Sequence, residues 1–301
     1  MEEIYNRAEW KSMDWNRIHM TVPAAWEISR IGKQYLMLEH RGLPALEIKW
    51  IPAGRSVKLQ SLLKDINRNQ GRTCPCVEPV PIPPVWEEAV AGFDDAACFR
   101  WKGKRLGGAG VLLSCRDCRQ VILIQFIMPE TPRVDPVNST VLSSLVDQCA
   151  KERISWRVYD IHAVIPNEFE LSYYHFRPGN FQLGFVSSKK EQLNLYRWAP
   201  ASYLLRDSGL ARFAAQTLNI SPRMKIVRIS EKPETMEWEM PHPSTDLRYR
   251  LWYAVSIRRR YRQIRICHQE TESRITGVEL LSRRPIQFTR FKRLCSGYVC
   301  L

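Results

Sequence analysis

The stretch from Ile18 to Ser29, IHMTVPAAWEIS, decides how this chain is interpreted, because residues 161–172, IHAVIPNEFELS, repeat it. When the two copies are aligned, five residue types are identical in register: isoleucine, histidine, proline, glutamate and serine. The aromatic residue Trp26 of the first copy is aligned with the aromatic residue Phe169 of the second. A segment that recurs within one chain indicates a duplicated unit. We therefore predict an internal duplication of two similar domains.

Two later landmarks recur in the same order. Trp50-Ile51-Pro52-Ala53 is echoed by Trp198-Ala199-Pro200-Ala201, and Arg119–Ile124 is echoed by Arg262–Cys267. Chance similarity is the alternative, because strands draw on a limited set of residues. Three matches in one order favour duplication. The predicted divisions are a lead-in at residues 1–14, a first repeat domain at 15–154 and a second repeat domain at 155–301.

Apolar spacing predicts strands and helices in both halves. Arg17 to Val22 alternates between apolar and polar residues, as a strand does, whereas the leucines from Leu59 to Ile66 recur at helical spacing. Residues 72–85 hold five prolines, which predicts an extended, polyproline-like loop. Each half should then be an antiparallel sheet with packed helices, an α+β fold. Other predicted elements include helices from Asn138 to Cys149, from Asp207 to Leu218 and from Gly277 to Arg283, and a strand at Leu247–Ile257.

The opening of each half resembles the PsbP-like fold, the group of the photosystem oxygen-evolving subunit and its nuclear-import-factor and bacterial lipoprotein relatives. The residues that carry the resemblance are Met20-Thr21-Val22-Pro23 with Trp26-Glu27, and Ala163-Val164-Ile165-Pro166 with Phe169-Glu170. The resemblance implies a largely non-catalytic protein that docks onto partners. It carries over no catalytic set.

Composition limits the class of protein. The chain has 301 residues, 45% of them hydrophobic, and no apolar run near the roughly 20 residues of a membrane span. Its nine cysteines form no compact disulfide framework, so reduced thiols are expected. The start, Met1-Glu2-Glu3, does not look like a secretory signal. We expect a cytoplasmic protein without a membrane span.

Positive charge is concentrated in the second half. Residues 151–301 contain 26 Lys and Arg against 14 Asp and Glu, a net charge of +12, whereas residues 1–150 carry only +2. This asymmetry predicts an acidic partner, which could be a protein, a protein complex, RNA or DNA. A solvated, self-paired charge run is the alternative. The candidate polyanion- or partner-binding residues are Arg258, Arg259, Arg260, Tyr261, Arg262, Arg265, Arg283 and Arg284.

Cysteine spacing suggests a metal site. Cys115-x-x-Cys118 is expected at a hairpin tip, and Cys74-x-Cys76 lies in a separate loop. Two such pairs can supply the four ligands of a structural zinc. Four unrelated reduced cysteines are the favoured alternative, and a redox pair is disfavoured because it requires the start of a helix.

His19 and His162 occupy equivalent positions in the repeat. A duplicated domain reproduces packing histidines as readily as ligands, so a structural role is favoured. With no conventional catalytic set beside them, the sequence predicts a non-enzymatic, two-lobed interaction or accessory protein. A nucleic-acid-binding protein is the first alternative, and a zinc-dependent or redox enzyme is the second.

Overall fold

The computed structural model describes residues 9–52, 58–69, 76–103, 106–128, 136–231, 234–240 and 261–300. The chain divides into two compact units, Met1–Lys151 and Glu152–Leu301. Both units are built mainly from antiparallel strands.

The first unit contains ten strands within the described residues. They are β1 (Trp10–Trp15), β2 (Ile18–Pro23), β3 (Glu27–Gly32), β4 (Tyr35–His40), β5 (Leu43–Pro52), β6 (Cys76–Val80), β7 (Asp95–Lys102), β8 (Gly107–Ser114), β9 (Gln120–Met128) and β10 (Val146–Asp147). Seven of them form an antiparallel sheet in the order β3-β4-β5-β9-β8-β7-β6. The short strand β10 pairs with β2, which in turn pairs with β1.

Three helices accompany these strands: α1 (Leu59–Asn69), α2 (Pro84–Val90) and α3 (Pro136–Ser143). Helix α1 places Leu59 and Leu63 in a buried cluster with Phe99 and Leu112 of the sheet. Helix α2 begins at a proline, whose fixed φ suits the first helical position. The three helices are short, with 11, 7 and 8 residues, and do not form a continuous helical layer against the seven-stranded sheet.

The second unit also contains ten strands within the described residues. They are β11 (Arg153–Val158), β12 (Ile161–Pro166), β13 (Phe169–Arg177), β14 (Asn180–Ser187), β15 (Gln192–Trp198), β16 (Lys225–Glu231), β17 (Glu234–Glu239), β18 (Tyr261–Gln269), β19 (Arg274–Ser282) and β20 (Tyr298–Cys300). Seven of them form an antiparallel sheet in the order β13-β14-β15-β19-β18-β17-β16. Strand β12 pairs with both β11 and β20.

The helices of the second unit are α4 (Ala201–Leu204), α5 (Leu210–Thr217) and α6 (Phe288–Ser296). Helix α5 buries Leu210 and Phe213 in a cluster that includes Trp198 and Ile264 of the sheet. Helix α6 buries Phe291, Leu294 and Cys295.

The two seven-stranded sheets have the same strand order when β3–β9 are matched with β13–β19. This match places Trp50-Ile51-Pro52 and Trp198-Ala199-Pro200 at the ends of equivalent strands, β5 and β15. The same match places the third pair of similar segments in strands that are not equivalent. Arg119–Ile124 lies at the start of β9, whereas Arg262–Cys267 lies in β18, the counterpart of β8. The pairing of those two segments as repeat equivalents was therefore wrong.

The α+β prediction is wrong. Within the described residues the chain is mostly strand, arranged in large antiparallel sheets, and its helices have only 4 to 11 residues. Gly277–Arg283, expected to be a helix, lies almost entirely in β19, which is buried on both faces. A short apolar run of that kind carries no periodicity that separates a buried strand from a helix.

The proline-rich segment also departs from expectation. Residues 76–80 form β6, an edge strand of the sheet, and Pro84 starts α2. A proline is compatible with an edge strand because no ladder bond is lost on the free side. The predicted strand Leu247–Ile257 and residues 72–75 lie outside the described residues.

Within the described part of the chain, no helix has the length and apolar character needed to cross a lipid bilayer. The expected cytoplasmic location stays a prediction.

Candidate metal centre and charged surfaces

Cys115 and Cys118 lie at the tip of the β8–β9 hairpin, as the sequence predicted. The Cys115 N–H donates to the Gln120 carbonyl oxygen at 2.9 Å, and the Arg119 N–H donates to the Cys115 carbonyl oxygen at 3.0 Å. The Arg116 guanidinium donates to the Ala91 and Phe93 carbonyl oxygens, at 2.9 and 3.2 Å. These bonds fix the hairpin tip and the position of both thiols.

A second segment, Asp147-Gln148-Cys149, reaches the same place from the end of the first unit. Strand β10 pairs Asp147 with Ile18 of β2, and the Gln148 N–H donates to the Arg17 carbonyl oxygen at 2.8 Å. The Gln148 side chain donates to Asp14 Oδ1 at 3.0 Å, a buried hydrogen bond. Backbone pairing and this side-chain anchor together hold Asp147 and Cys149 beside the hairpin.

Cys115, Cys118, Asp147 and Cys149 form a compact cluster, in which one ligand atom from each residue lies within 4.8 Å of the other three. The sulfur atoms of Cys115 and Cys149 are 3.6 Å apart, and the Cys118 thiol donates to Asp147 Oδ2 at 3.1 Å. Cys115 is buried and Cys118 is exposed, so the cluster lies at the surface with one side closed. Three sulfurs and a carboxylate at this spacing are a ligand set that zinc accepts.

The environment keeps two of these thiols protonated. Although part of Cys118 is exposed, partial removal of its thiol from water raises the pKa of that thiol above its usual range, and the hydrogen bond to the Asp147 carboxylate adds to the rise. Burial likewise raises the pKa of Cys149 to about 11. A metal ion that binds here would have to displace protons from these sulfurs, as ions do at thiolate sites.

The cluster differs from the ligand set expected from the sequence. Cys74 and the side chain of Cys76 lie outside the described residues. Sequence reasoning missed Asp147 and assigned Cys149 to a helix that ends at Ser143. The long-range pairing of β10 with β2 and the hydrogen bond from Gln148 to Asp14 bring these two residues to the hairpin.

His19 and His162 occupy matching positions in β2 and β12, each opposite a residue of the preceding strand. His19 Nδ1 lies 2.8 Å from Oδ1 of the buried Asp14, whereas His162 Nε2 lies 3.3 Å from a terminal guanidinium nitrogen of Arg157. The histidine is common to both units, but its partner changes from an acid to a base.

The basic residues expected to bind a polyanion lie in different surroundings. Arg262 donates through Nε to Glu279 Oε1 at 2.7 Å, and through its terminal nitrogens to the Leu218 and Asn219 carbonyl oxygens at 2.6 and 3.1 Å. Arg262 is therefore engaged inside the second unit. Its carboxylate partner also accepts hydrogen bonds from Asn194 and Tyr196, both at 2.7 Å.

Arg265 has its Nε 3.8 Å from Glu237 Oε1 and lines a cavity of about 260 Å³ beside Cys267 and Cys295. Arg283 and Arg284 are exposed, and Tyr261 is half-buried at the start of β18. Arg258, Arg259 and Arg260 lie outside the described residues. A polyanion-binding role for these residues stays a prediction.

The edge of the second sheet presents a different kind of surface. Among the strands that the structure describes, β16 is the outermost of this sheet, and its Ile226, Val227 and Ile229 are 49%, 53% and 64% exposed. A register shift between Ile226 and Arg228 leaves Val227 outside the ladder with β17. An edge strand with three exposed branched side chains is a surface suited to contact with another polypeptide.

No family model matches the sequence, and no curated protein matches it. The apo structure of the immunity protein TplEi of T6SS from Pseudomonas aeruginosa matches with a TM-score of 0.34 and 9% identity over 97% of each chain. A protein from Bacteroides thetaiotaomicron VPI-5482 matches with a TM-score of 0.31 and 10% identity over 49% of each chain. The Tle4–Tli4 complex matches with a TM-score of 0.30 and 10% identity, over 92% of this chain and 88% of that one. TM-scores this low support no inference about this chain, and the PsbP-like resemblance stays a prediction.

Proposed function

We propose that this chain is a protein-binding protein whose second unit takes up an extended, acidic segment of its partner along the outer edge of β16. The observation that carries the proposal is the exposure of Ile226, Val227 and Ile229 on the outermost strand of the sheet. An extended segment that joins a sheet edge gains main-chain hydrogen bonds, and exposed side chains on the edge strand supply specificity.

The equivalent edge of the first unit supports the proposal by contrast. Strand β6 has five described residues, and one of them, Pro79, has no backbone N–H to donate. A proline and short length are devices that protect an edge from pairing. Strand β16 has seven residues and no proline. Of two equivalent edges, the second one alone combines length with exposed apolar side chains.

Local charge favours an acidic partner. Lys225 and Arg228 are exposed on β16, and Arg223 is exposed just before it, against a single exposed acid, Glu231. The Arg228 guanidinium lies 5.4 Å from the centroid of the exposed Phe288 ring, which extends the apolar surface. A segment that alternates branched and acidic residues complements this strand in both shape and charge.

Peptide selection against the full chain tests the proposal. A displayed library of random peptides is enriched on the wild-type chain, and binding of the enriched peptides is then measured by fluorescence anisotropy. We expect peptides rich in Val, Ile, Asp and Glu, whose affinity falls at least about tenfold with Ile229→Asp, because an edge-strand charge opposes pairing. Hydrogen exchange should slow for amides of residues 225–231 in the complex.

Tyr203→Asp is the matched control, because Tyr203 is 73% exposed in the same unit and the change in charge is identical. Equal loss of binding in both variants would mean that the added negative charge causes the loss wherever it is placed, and not its position on β16. The proposal fails if no enriched peptide distinguishes Ile229→Asp from wild type, or if β16 instead pairs two copies of the chain. Salt-dependent binding of RNA that ignores Ile229→Asp would favour the nucleic-acid alternative.

A further inference from the structure

We infer that the first unit contains a tetrahedral zinc site whose ligands are Cys115, Cys118, Asp147 and Cys149. This inference does not depend on the proposed protein-binding function, because the two sites lie in different units. It replaces Cys74 and Cys76 of the predicted ligand set with an acid and a cysteine from the β10 segment.

The spacing of the ligand atoms matches a tetrahedral site. With Zn–S near 2.3 Å and Zn–O near 2.0–2.2 Å, neighbouring ligand atoms lie about 3.6–3.8 Å apart. The observed separations are 3.6 Å between the Cys115 and Cys149 sulfurs and 3.1 Å between Cys118 Sγ and Asp147 Oδ2, and none exceeds 4.8 Å. Each separation therefore differs from the tetrahedral value by no more than about 1 Å.

The surroundings of Asp147 are those of an oriented ligand. Its Oδ1 accepts the Cys149 N–H at 3.0 Å, and its Oδ2 accepts the Gln120 side-chain amide at 3.3 Å. Hydrogen bonds of this kind hold a ligating carboxylate in place and tune its affinity. Three sulfur ligands with one oxygen also favour zinc over calcium and magnesium, which prefer oxygen alone.

The equivalent hairpin of the second unit has the same place in its sheet but no cysteine at its tip. In the second unit, the equivalent turn between β18 and β19 is Glu270–Ser273, which has no cysteine. The two hairpins share a topology, but only the β8–β9 tip carries cysteines. A zinc ion here would tie the hairpin tip to the end of the first unit, about 30 residues later in the chain, and would hold the pairing of β10 with β2 in place.

A disulfide is the competing outcome for the same atoms. The 3.6 Å between the Cys115 and Cys149 sulfurs is well beyond the roughly 2.05 Å of an S–S bond, and it leaves room for a bridging ion. Cys118 and Asp147 would have no part in a disulfide between those two cysteines.

Metal binding by the full chain decides the matter. Protein purified under reducing conditions is stripped with a chelator, and zinc is titrated in competition with a chromophoric chelator. We expect one equivalent of zinc. Cobalt, used as a spectroscopic substitute, should give tetrahedral d–d bands and a charge-transfer intensity that corresponds to three thiolates.

Variants distinguish the two ligand sets. Cys149→Ser should weaken zinc binding at least about tenfold and remove one thiolate from the cobalt spectrum, whereas the double variant C74S/C76S should bind zinc as the wild type does. The inference fails if stripped wild-type protein takes up no zinc. It also fails if C74S/C76S abolishes binding while Cys149→Ser does not, or if mass spectrometry of unreduced protein finds a Cys115–Cys149 disulfide. The cobalt spectrum of the wild type decides the number of sulfur ligands even if a variant does not fold.

Discussion

Replacing Arg262 with methionine should destabilise the second unit far more than replacing the exposed Arg283. The Arg262 guanidinium makes three hydrogen bonds within the unit, one of them a 2.7 Å ion pair with Glu279, which is only 4% exposed. Methionine keeps the apolar stem of the side chain but removes every donor. The carboxylate then stays buried without its counter-charge.

The size of the loss follows from what remains around Glu279. Removing one partner of a buried ion pair costs about 3–5 kcal/mol. Asn194 and Tyr196 still donate to the other carboxylate oxygen, both at 2.7 Å, so part of the charge remains stabilised. We therefore expect the free energy of unfolding to fall by about 3 kcal/mol, the lower end of that range. In a Glu279→Gln background the charge is gone, and the same change should cost at least about 1.5 kcal/mol less.

Urea denaturation followed by circular dichroism and tryptophan fluorescence measures these differences. Arg283→Met is the control, and it should change stability by no more than about 0.5 kcal/mol. If the two units unfold separately, only the transition of the second unit should move. A loss below about 1 kcal/mol for Arg262→Met would refute the reasoning, because it would mean that the Glu279 carboxylate is not left buried without a partner after the substitution. Tests of polyanion binding should accordingly use Arg283 and Arg284.

Three further outcomes can be measured in the same assays. Gly108→Ala places a Cβ against the Phe126 carbonyl oxygen and should cost about 1–3 kcal/mol, whereas the Cβ of Gly92→Ala meets no atom of the described residues within 4 Å and should be close to neutral. Burial raises the pKa of the Cys295 thiol to about 12 from 9.0, so the unfolded chain ionises first and stability falls as pH rises above 9. Between about pH 9 and 10.5, the free energy of unfolding of the wild type should therefore fall by on the order of 2 kcal/mol more than that of Cys295→Ala. Zinc at about 100 times its Kd should stabilise the first unit by roughly 2.7 kcal/mol, an effect that chelation or Cys149→Ser removes.

The strands β2 and β12, near the start of each unit, could be predicted because one face of each strand is buried and the other is only half-buried. In β2, Ile18, Met20 and Val22 are buried while His19 and Thr21 are half-buried, and β12 shows the same alternation. Period-two burial of this kind is recorded directly in the order of residue types. The sequence therefore identified both copies before their topology was known.

The α+β assignment failed where that alternation is missing. Strand β19 is buried on both faces at the centre of its sheet, so its apolar run was interpreted as a short helix. Helix α6 was missed because Pro285 and the charged residues around it obscured a nine-residue amphipathic pattern. Short elements leave too few residues to define a period.

The candidate site was predictable in part, for a similar reason. A hairpin turn is local, so Cys115 and Cys118 could be placed together from their spacing. Asp147 and Cys149 come from a segment about 30 residues away and reach the hairpin through long-range contacts, namely the pairing of β10 with β2 and the hydrogen bond from Gln148 to Asp14. The ion pair of the half-buried Arg262 depends in the same way on Glu279 of the neighbouring strand, and no local sequence pattern indicates it.

The central pair of each sheet has a consequence for synthesis on the ribosome. Strand β5 pairs with β9, and Leu46 meets Phe126, which lies 80 positions later in the chain. At about 5–20 residues per second, roughly 4–16 s separate the emergence of these two partners. During that interval the edge of β5 that will pair with β9 has no native partner. Strand β15 is likewise synthesised well before its partner β19. The nascent chain is therefore most exposed to chaperone capture, or to pairing with the wrong strand, while the middle of each unit is being made.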